Sequence, residues 1–133
     1  MGGGMDKQIF RPWNAAGVLT SSRMIFEGIT YSNSMRIRLR EASGDCRRLY
    51  LDFPELPAAI RVVNESMRLA SLPLVPKEVN GSFFLVENSE FLAWLNNDSL
   101  EIYKDDPIFH LAIVTEEWID VICNENPAVV FES

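Results

Sequence analysis

Pro107-Ile108-Phe109-His110-Leu111-Ala112-Ile113-Val114 (PIFHLAIV) decides how this chain is built. Read with a period of two, Phe109, Leu111 and Ile113 lie on one side, and Ile108, His110, Ala112 and Val114 on the other. Both sides are apolar apart from one histidine. A strand with no polar face is expected in the interior of its sheet.

Downstream, Thr115-Glu116-Glu117 turns the chain. The segments 119–123 and 128–131 then read as two further strands, joined through Asn124-Glu125-Asn126-Pro127 as a hairpin. Upstream, Asn88 or Ser89 can cap a helix over about 88–97. Glu90 falls in its favourable first turn, and Phe91, Leu92 and Leu95 form one apolar face. Trp94 lies roughly 90° from that face at about 100° per residue, which predicts partial exposure. A strand at 82–86 precedes the helix, after an Asn80-Gly81 turn. Pro73 and Pro76 deny backbone donors to 72–80, predicting a loop. Residues 58–64 read as a strand, although Leu56, Ile60, Val63 and Met67 also fit a helical face.

The first half of the chain is plainer. An apolar, β-branched stretch at 24–30 is followed by the turn Tyr31-Ser32-Asn33-Ser34. Residues 35–40 then alternate strictly, with Met35, Ile37 and Leu39 on one side and Arg36, Arg38 and Arg40 on the other. Ser43-Gly44-Asp45 turns again, and 48–53 forms a third strand stopped by Pro54. Three strands with short links predict an antiparallel meander. The fold class is therefore α+β: a mainly antiparallel sheet of about seven strands with one short helix.

At 133 residues the chain is the size of a single domain, 1–133, with Met1–Gly4 as a flexible start. Its composition, 47% hydrophobic and 23% charged, is that of a folded globule able to bury a core without staples. No apolar stretch approaches the roughly 20 residues of a membrane span, and the N-terminus lacks the apolar core of a secretory signal. Cys46 and Cys123 are far apart and outside any CxxC spacing, which reads as a reduced pair in a cytoplasmic protein.

Net charge is −7 and unevenly placed: four Lys/Arg face fifteen Asp/Glu over residues 51–133. Such a surface repels nucleic acid and anionic membrane and attracts basic partners. Catalytic and cofactor motifs are missing. There is no GxSxG, no phosphate-binding glycine loop and no zinc ligand set, so neither cofactor nor metal is expected. Asp98, Glu101, Asp105 and Asp106 could offer oxygen ligands but lack the EF-hand order, and read as a solvated acidic loop. His110, the only histidine, is either a core residue satisfied by a backbone or hydroxyl partner, or a general base or metal ligand. Arg36, Arg38 and Arg40 read as the wet face of their strand, with Glu27 and Asp52 as cross-strand partners. A nucleic-acid surface would want aromatics interleaved there, and Tyr50 on the neighbouring strand is the one candidate.

Residues 85–131 resemble a recurrent pattern of small uncharacterised bacterial proteins. A strand ending V-x-N-S (Val86, Asn88, Ser89) is followed by a helix with an aromatic and a tryptophan (Phe91, Trp94). I-x-H (Ile108, His110) then leads to T-x-x-W-I-D-V (Thr115, Trp118, Ile119, Asp120, Val121). More loosely, the chain resembles the immunity proteins of interbacterial toxin systems in size, acidity and lack of catalytic apparatus. That likeness implies a non-enzymatic module binding another protein, such as a basic toxin, rather than nucleic acid or a membrane. The surface expected to do so comprises Glu87, Glu90, Trp94, Asp98, Glu101, Asp105 and Asp106. The alternatives are an enzyme or small-ligand protein centred on His110, and nucleic-acid binding through Arg36, Arg38 and Arg40.

Overall fold

The structure is a computed structural model that describes residues 7–13, 23–68, 71–76, 82–103 and 105–132. The expected flexible start and the Asn80-Gly81 turn lie outside these residues. Nine strands and one α-helix are present among them: β1 (Ile9–Pro12), β2 (Met24–Tyr31), β3 (Met35–Glu41), β4 (Arg48–Phe53), β5 (Ala59–Asn64), β6 (Phe83–Glu87), α1 (Glu90–Asp98), β7 (Phe109–Val114), β8 (Glu117–Cys123) and β9 (Ala128–Phe131). The α+β class with antiparallel pairing holds. The strand count is nine rather than about seven, and the strands divide into two sheets.

One sheet has the order β1-β6-β7-β8-β5 and the other β2-β3-β4-β9. β7 lies between β6 and β8, as its doubly apolar pattern requires. The meander β2–β3–β4 forms in register, with Ile37 opposite Leu51 and Arg36 opposite Asp52. The 119–123/128–131 hairpin does not form. β9 leaves β8 and pairs with β4 in the other sheet, Val129 opposite Leu51. Val129 and Phe131 pack against the core between the sheets, so the chain crosses over there to bury them.

Alternation along the strands builds three layers. Met35, Ile37, Leu39, Leu49, Leu51 and Phe53 from the four-stranded sheet meet Leu111, Ile113, Ile119, Val121 and Cys123 from the five-stranded sheet in one continuous core. At roughly 1.5–3 kcal/mol per fully buried large aliphatic or aromatic side chain, this layer is the main source of stability. Burial pushes the Cys123 thiol up to about 12, leaving it a packing residue rather than a nucleophile.

The opposite face of the five-stranded sheet is covered in two parts. The segment 72–75 lies over Phe84, Val86, Ala112, Val114 and Trp118. Helix α1 places Phe91 and Leu95 on Ile122. A nine-residue helix burying two large side chains is too short to be stable alone, and depends on what fixes it to the sheet.

The arginine face of β3 is tied down by neighbours. Arg36 pairs with Asp52 at 2.5 Å, Arg38 donates to the Thr30 hydroxyl, and Arg40 reaches Glu27 at 3.4 Å. A bulge between Phe26 and Gly28 breaks the β2 register. Gly28 takes a φ of +153°, a backbone that side-chain-bearing residues rarely adopt, and the Arg38 guanidinium folds over it across β2. No helix among the described residues is long and apolar enough to cross a membrane.

Candidate functional site

The outer face of the five-stranded sheet carries an interruption in otherwise apolar surroundings. On β8, Trp118, Asp120 and Ile122 point away from the main core, and Asp120 is the one charge among buried neighbours. Strand register then decides its company. Arg61 on β5 stands directly opposite Asp120. His110 on β7 pairs with Ile122, two residues along, so its ring and the Asp120 carboxylate share a face.

Five donors converge on this carboxylate. Oδ1 accepts from His110 Nε2 at 2.7 Å and Trp118 Nε1 at 3.2 Å. Oδ2 accepts from Arg61 Nε at 3.0 Å and Nη2 at 2.8 Å, and from Arg68 Nη1 at 2.7 Å. Asp120 has no solvent exposure. Burial alone would push its carboxyl up. The hydrogen bonds of His110 and Arg68 and the Arg61 charge outweigh that and hold it well below the usual carboxylate range.

The chain of bonds continues into the helix. An ionised carboxylate only accepts, so His110 Nε2 carries a proton. In the neutral ring Nδ1 is then the acceptor for the Ser89 hydroxyl, 2.6 Å away. Ser89 Oγ in turn accepts from the Leu92 backbone N–H at 2.9 Å, as the N-cap of α1. The Phe91 ring meets the His110 ring edge to face, 5.7 Å between centroids. A connected line of hydrogen bonds thus runs from the helix cap through β7 and β8 to β5 and Arg68. Each partly buried polar group is satisfied by the next.

Ser89, His110 and Asp120 match by type the members of a nucleophile–base–acid relay. Their arrangement differs from one in working order. His110 is 2% exposed and Ser89 7% exposed, and the serine oxygen is already occupied as a helix cap. A strand-to-helix turn can hold a nucleophile in strained backbone. Here the positive φ, +55°, belongs to Asn88, and Ser89 is extended with φ −68°.

Beside this line lies an open cleft of about 660 Å³, bordered by Arg61, Arg68, Ser71, Glu90, Phe91 and Trp94. The Arg61 guanidinium stacks on Phe91 at 4.4 Å and that of Arg68 on Trp118 at 4.4 Å. Among the described residues, no cluster of His, Cys, Asp and Glu could hold a metal ion.

The carboxylates expected at a partner surface are scattered along the same region. Glu87 is exposed and pairs with Arg11 at 2.5 Å on the β1 edge. Glu90 borders the cleft, and its backbone N–H is taken by the Gln8 side chain at 2.9 Å. Asp98, Glu101, Asp105 and Asp106 are exposed at the helix end and its exit loop. Trp94 is 54% exposed and stacks on Phe91, with centroids 5.7 Å apart and planes 11° from parallel. Leu100 and Ile102, absent from the surface expected on sequence grounds, are 86% and 71% exposed. Sequence reasoning also misses Arg61, Arg68 and Asp120 as a group. The one signal for them is an aspartate inside a strand whose other buried positions are apolar on both faces.

Comparison with known protein families, curated proteins and solved structures finds no match.

Proposed function

We propose that this chain is a non-enzymatic protein-binding module of the immunity kind, whose partner is a basic protein. The observation that carries the reading is the surface of α1 and its exit loop. Within nine residues, Trp94, Leu100 and Ile102 are large, apolar and mostly exposed, among the carboxylates of Asp98 and Glu101. Large apolar anchors within a charged rim are the anatomy of an interaction hot spot.

Two local costs support the same reading. Leu100 and Glu101 both hold positive φ, +55° and +62°, an uncommon and costly backbone for side-chain-bearing residues. Asp98 places a negative charge at the negative end of the helix, where no basic residue lies in the last turn. A cationic partner would relieve that charge, and complementary charge would speed the encounter.

The test is co-purification with a basic protein encoded beside this gene, followed by calorimetry on that pair. Trp94→Ala and Leu100→Ala should each weaken binding about thirtyfold, the effect of a hot-spot truncation of about 2 kcal/mol. Unchanged affinity in the Trp94→Asp, Leu100→Asp double variant would refute the reading.

A second reading, acyl transfer centred on His110, is favoured by the hydrogen-bonded Ser89–His110–Asp120 line. It requires the Ser89 hydroxyl to reach a substrate. Wild-type protein should then hydrolyse p-nitrophenyl acetate, and Ser89→Ala should lose that activity while remaining folded. The expected result is no hydrolysis above buffer, because the hydroxyl is buried and committed to the helix cap.

A further inference from the structure

We infer that the cleft between β5 and α1 binds a small aromatic monocarboxylate. Its base holds two guanidiniums, Arg61 and Arg68, that share the single carboxylate of Asp120. The two guanidiniums carry one charge more than the carboxylate they share, and Glu90 on the border is the further carboxylate beside them. The Arg61 side chain, 39% exposed, gives only its Nε and Nη2 edge to Asp120, so the rest of its donor fork faces the cleft. Arg68, mostly buried, donates through Nη1 to Asp120 and through Nη2 to Ser71 Oγ at 3.3 Å, and contributes charge behind Arg61 rather than an open fork. Planar forks of this kind match a carboxylate bidentately, and Asp120 together with the Phe91 and Trp118 rings holds them in place.

The wall selects the rest of the ligand. Trp94, 54% exposed and backed by the nearly parallel Phe91 ring, borders the cleft and offers an apolar surface suited to a flat ring. The cleft, about 660 Å³, is within the usual range for small-molecule sites. Charge selects the class of anion. Glu90 on the border opposes a second negative charge, so a monocarboxylate fits and a phosphate dianion does not. The cleft shares Trp94 with the proposed partner surface, but neither Leu100 nor Ile102 borders it, so Leu100→Ala separates the two readings.

The experiment is a titration of the full chain at pH 7 with 2-naphthoate, its neutral isostere 2-naphthamide, and inorganic phosphate. Affinity would be read by calorimetry, and the Trp94 indole N–H followed by NMR. Naphthoate should bind at least tenfold more tightly than naphthamide and shift the Trp94 signal, while phosphate leaves it in place. Trp94→Ala, at a position 54% exposed, should weaken naphthoate about fivefold. Glu90→Gln should tighten it about threefold, and Leu100→Ala should leave it unchanged. Equal binding of naphthoate and naphthamide would overturn the proposal. So would binding of phosphate in preference to naphthoate, or naphthoate affinity indifferent to both Trp94→Ala and Glu90→Gln.

Discussion

Replacing Asp120 with alanine will cost about 3–5 kcal/mol of folding stability, measured as a fall in the urea midpoint at neutral pH. The side chain is small, so lost packing is a minor part of the effect. What matters is the company it leaves behind. Arg68 is mostly buried and would lose its counter-charge, Trp118 Nε1 would lose its acceptor, and His110 Nε2 would have no partner. Arg61→Ala should cost much less, because Arg68 and His110 still hold the carboxylate and Arg61 is partly solvated. The loss in Asp120→Ala is comparable with the whole stability of a marginal domain, about 5–15 kcal/mol. It should also appear at α1, whose cap is joined to Asp120 through His110. Faster amide exchange in residues 90–98 is the expected accompaniment.

Acid titration checks the same carboxylate with a definite sign. The folded protein holds the Asp120 carboxyl below its ordinary range, near 3.9 in an unfolded chain. A depressed folded value contributes stability that is fully present above the unfolded value and is lost as pH falls through the folded one. Wild-type stability should therefore decline as pH is lowered below about 4, and the decline in Asp120→Ala should be shallower. Parallel acid limbs in the two proteins would show that Asp120 is not held as an ion pair.

What the sequence disclosed about this site was its stage rather than its actors. The doubly apolar pattern of 107–114 places β7 inside its sheet, and the alternation at 35–40 orients β3. Both are local periodicities, which survive into any tertiary context. The route of β9 is not local. Asn124-Glu125-Asn126-Pro127 announces a reversal, but turn chemistry does not say whether the returning strand rejoins β8 or crosses to β4, and the burial of Val129 and Phe131 decides that. β1 escapes a sequence reading because four residues ending in proline carry too little periodicity, and its partner β6 is more than seventy residues away. Nothing local marks Arg61 or Arg68 as partners of a buried charge. Arg61 meets it through the β5–β8 register, which no property of either segment encodes by itself, and Arg68 reaches it from the segment after β5. The carboxylates at 87–106 are legible as an acidic surface, but the exposure of Leu100 and Ile102 follows from two positive φ angles in the exit loop that no glycine announces.

Ile119→Asn will abolish cooperative folding or leave it barely detectable, while Val62→Asn, on the strand opposite, will cost about 1 kcal/mol or less. The two positions face each other across the β5–β8 ladder, and both side chains are β-branched and apolar. They differ in cover. Ile119 has no exposure and sits between the two sheets against the main core, whereas Val62 is 44% exposed on the edge strand. Removing the isoleucine forfeits about 2–3 kcal/mol of burial, and an amide with no partner in that layer adds about 1–3 kcal/mol. The contrast with Asp120, one residue further along, gives the comparison its force. A carboxylate is held at 120 because the outer face supplies two guanidiniums, an imidazole and an indole. The inner face at 119 supplies hydrocarbon alone. Polarity on β8 is therefore tolerated by face rather than by depth, and side-chain period two makes a shift of one residue the difference between an anchored ion and a broken core. A cooperative urea transition in Ile119→Asn within about 1 kcal/mol of wild type would mean that the inner layer is not sealed, and the three-layer assignment would fail with it.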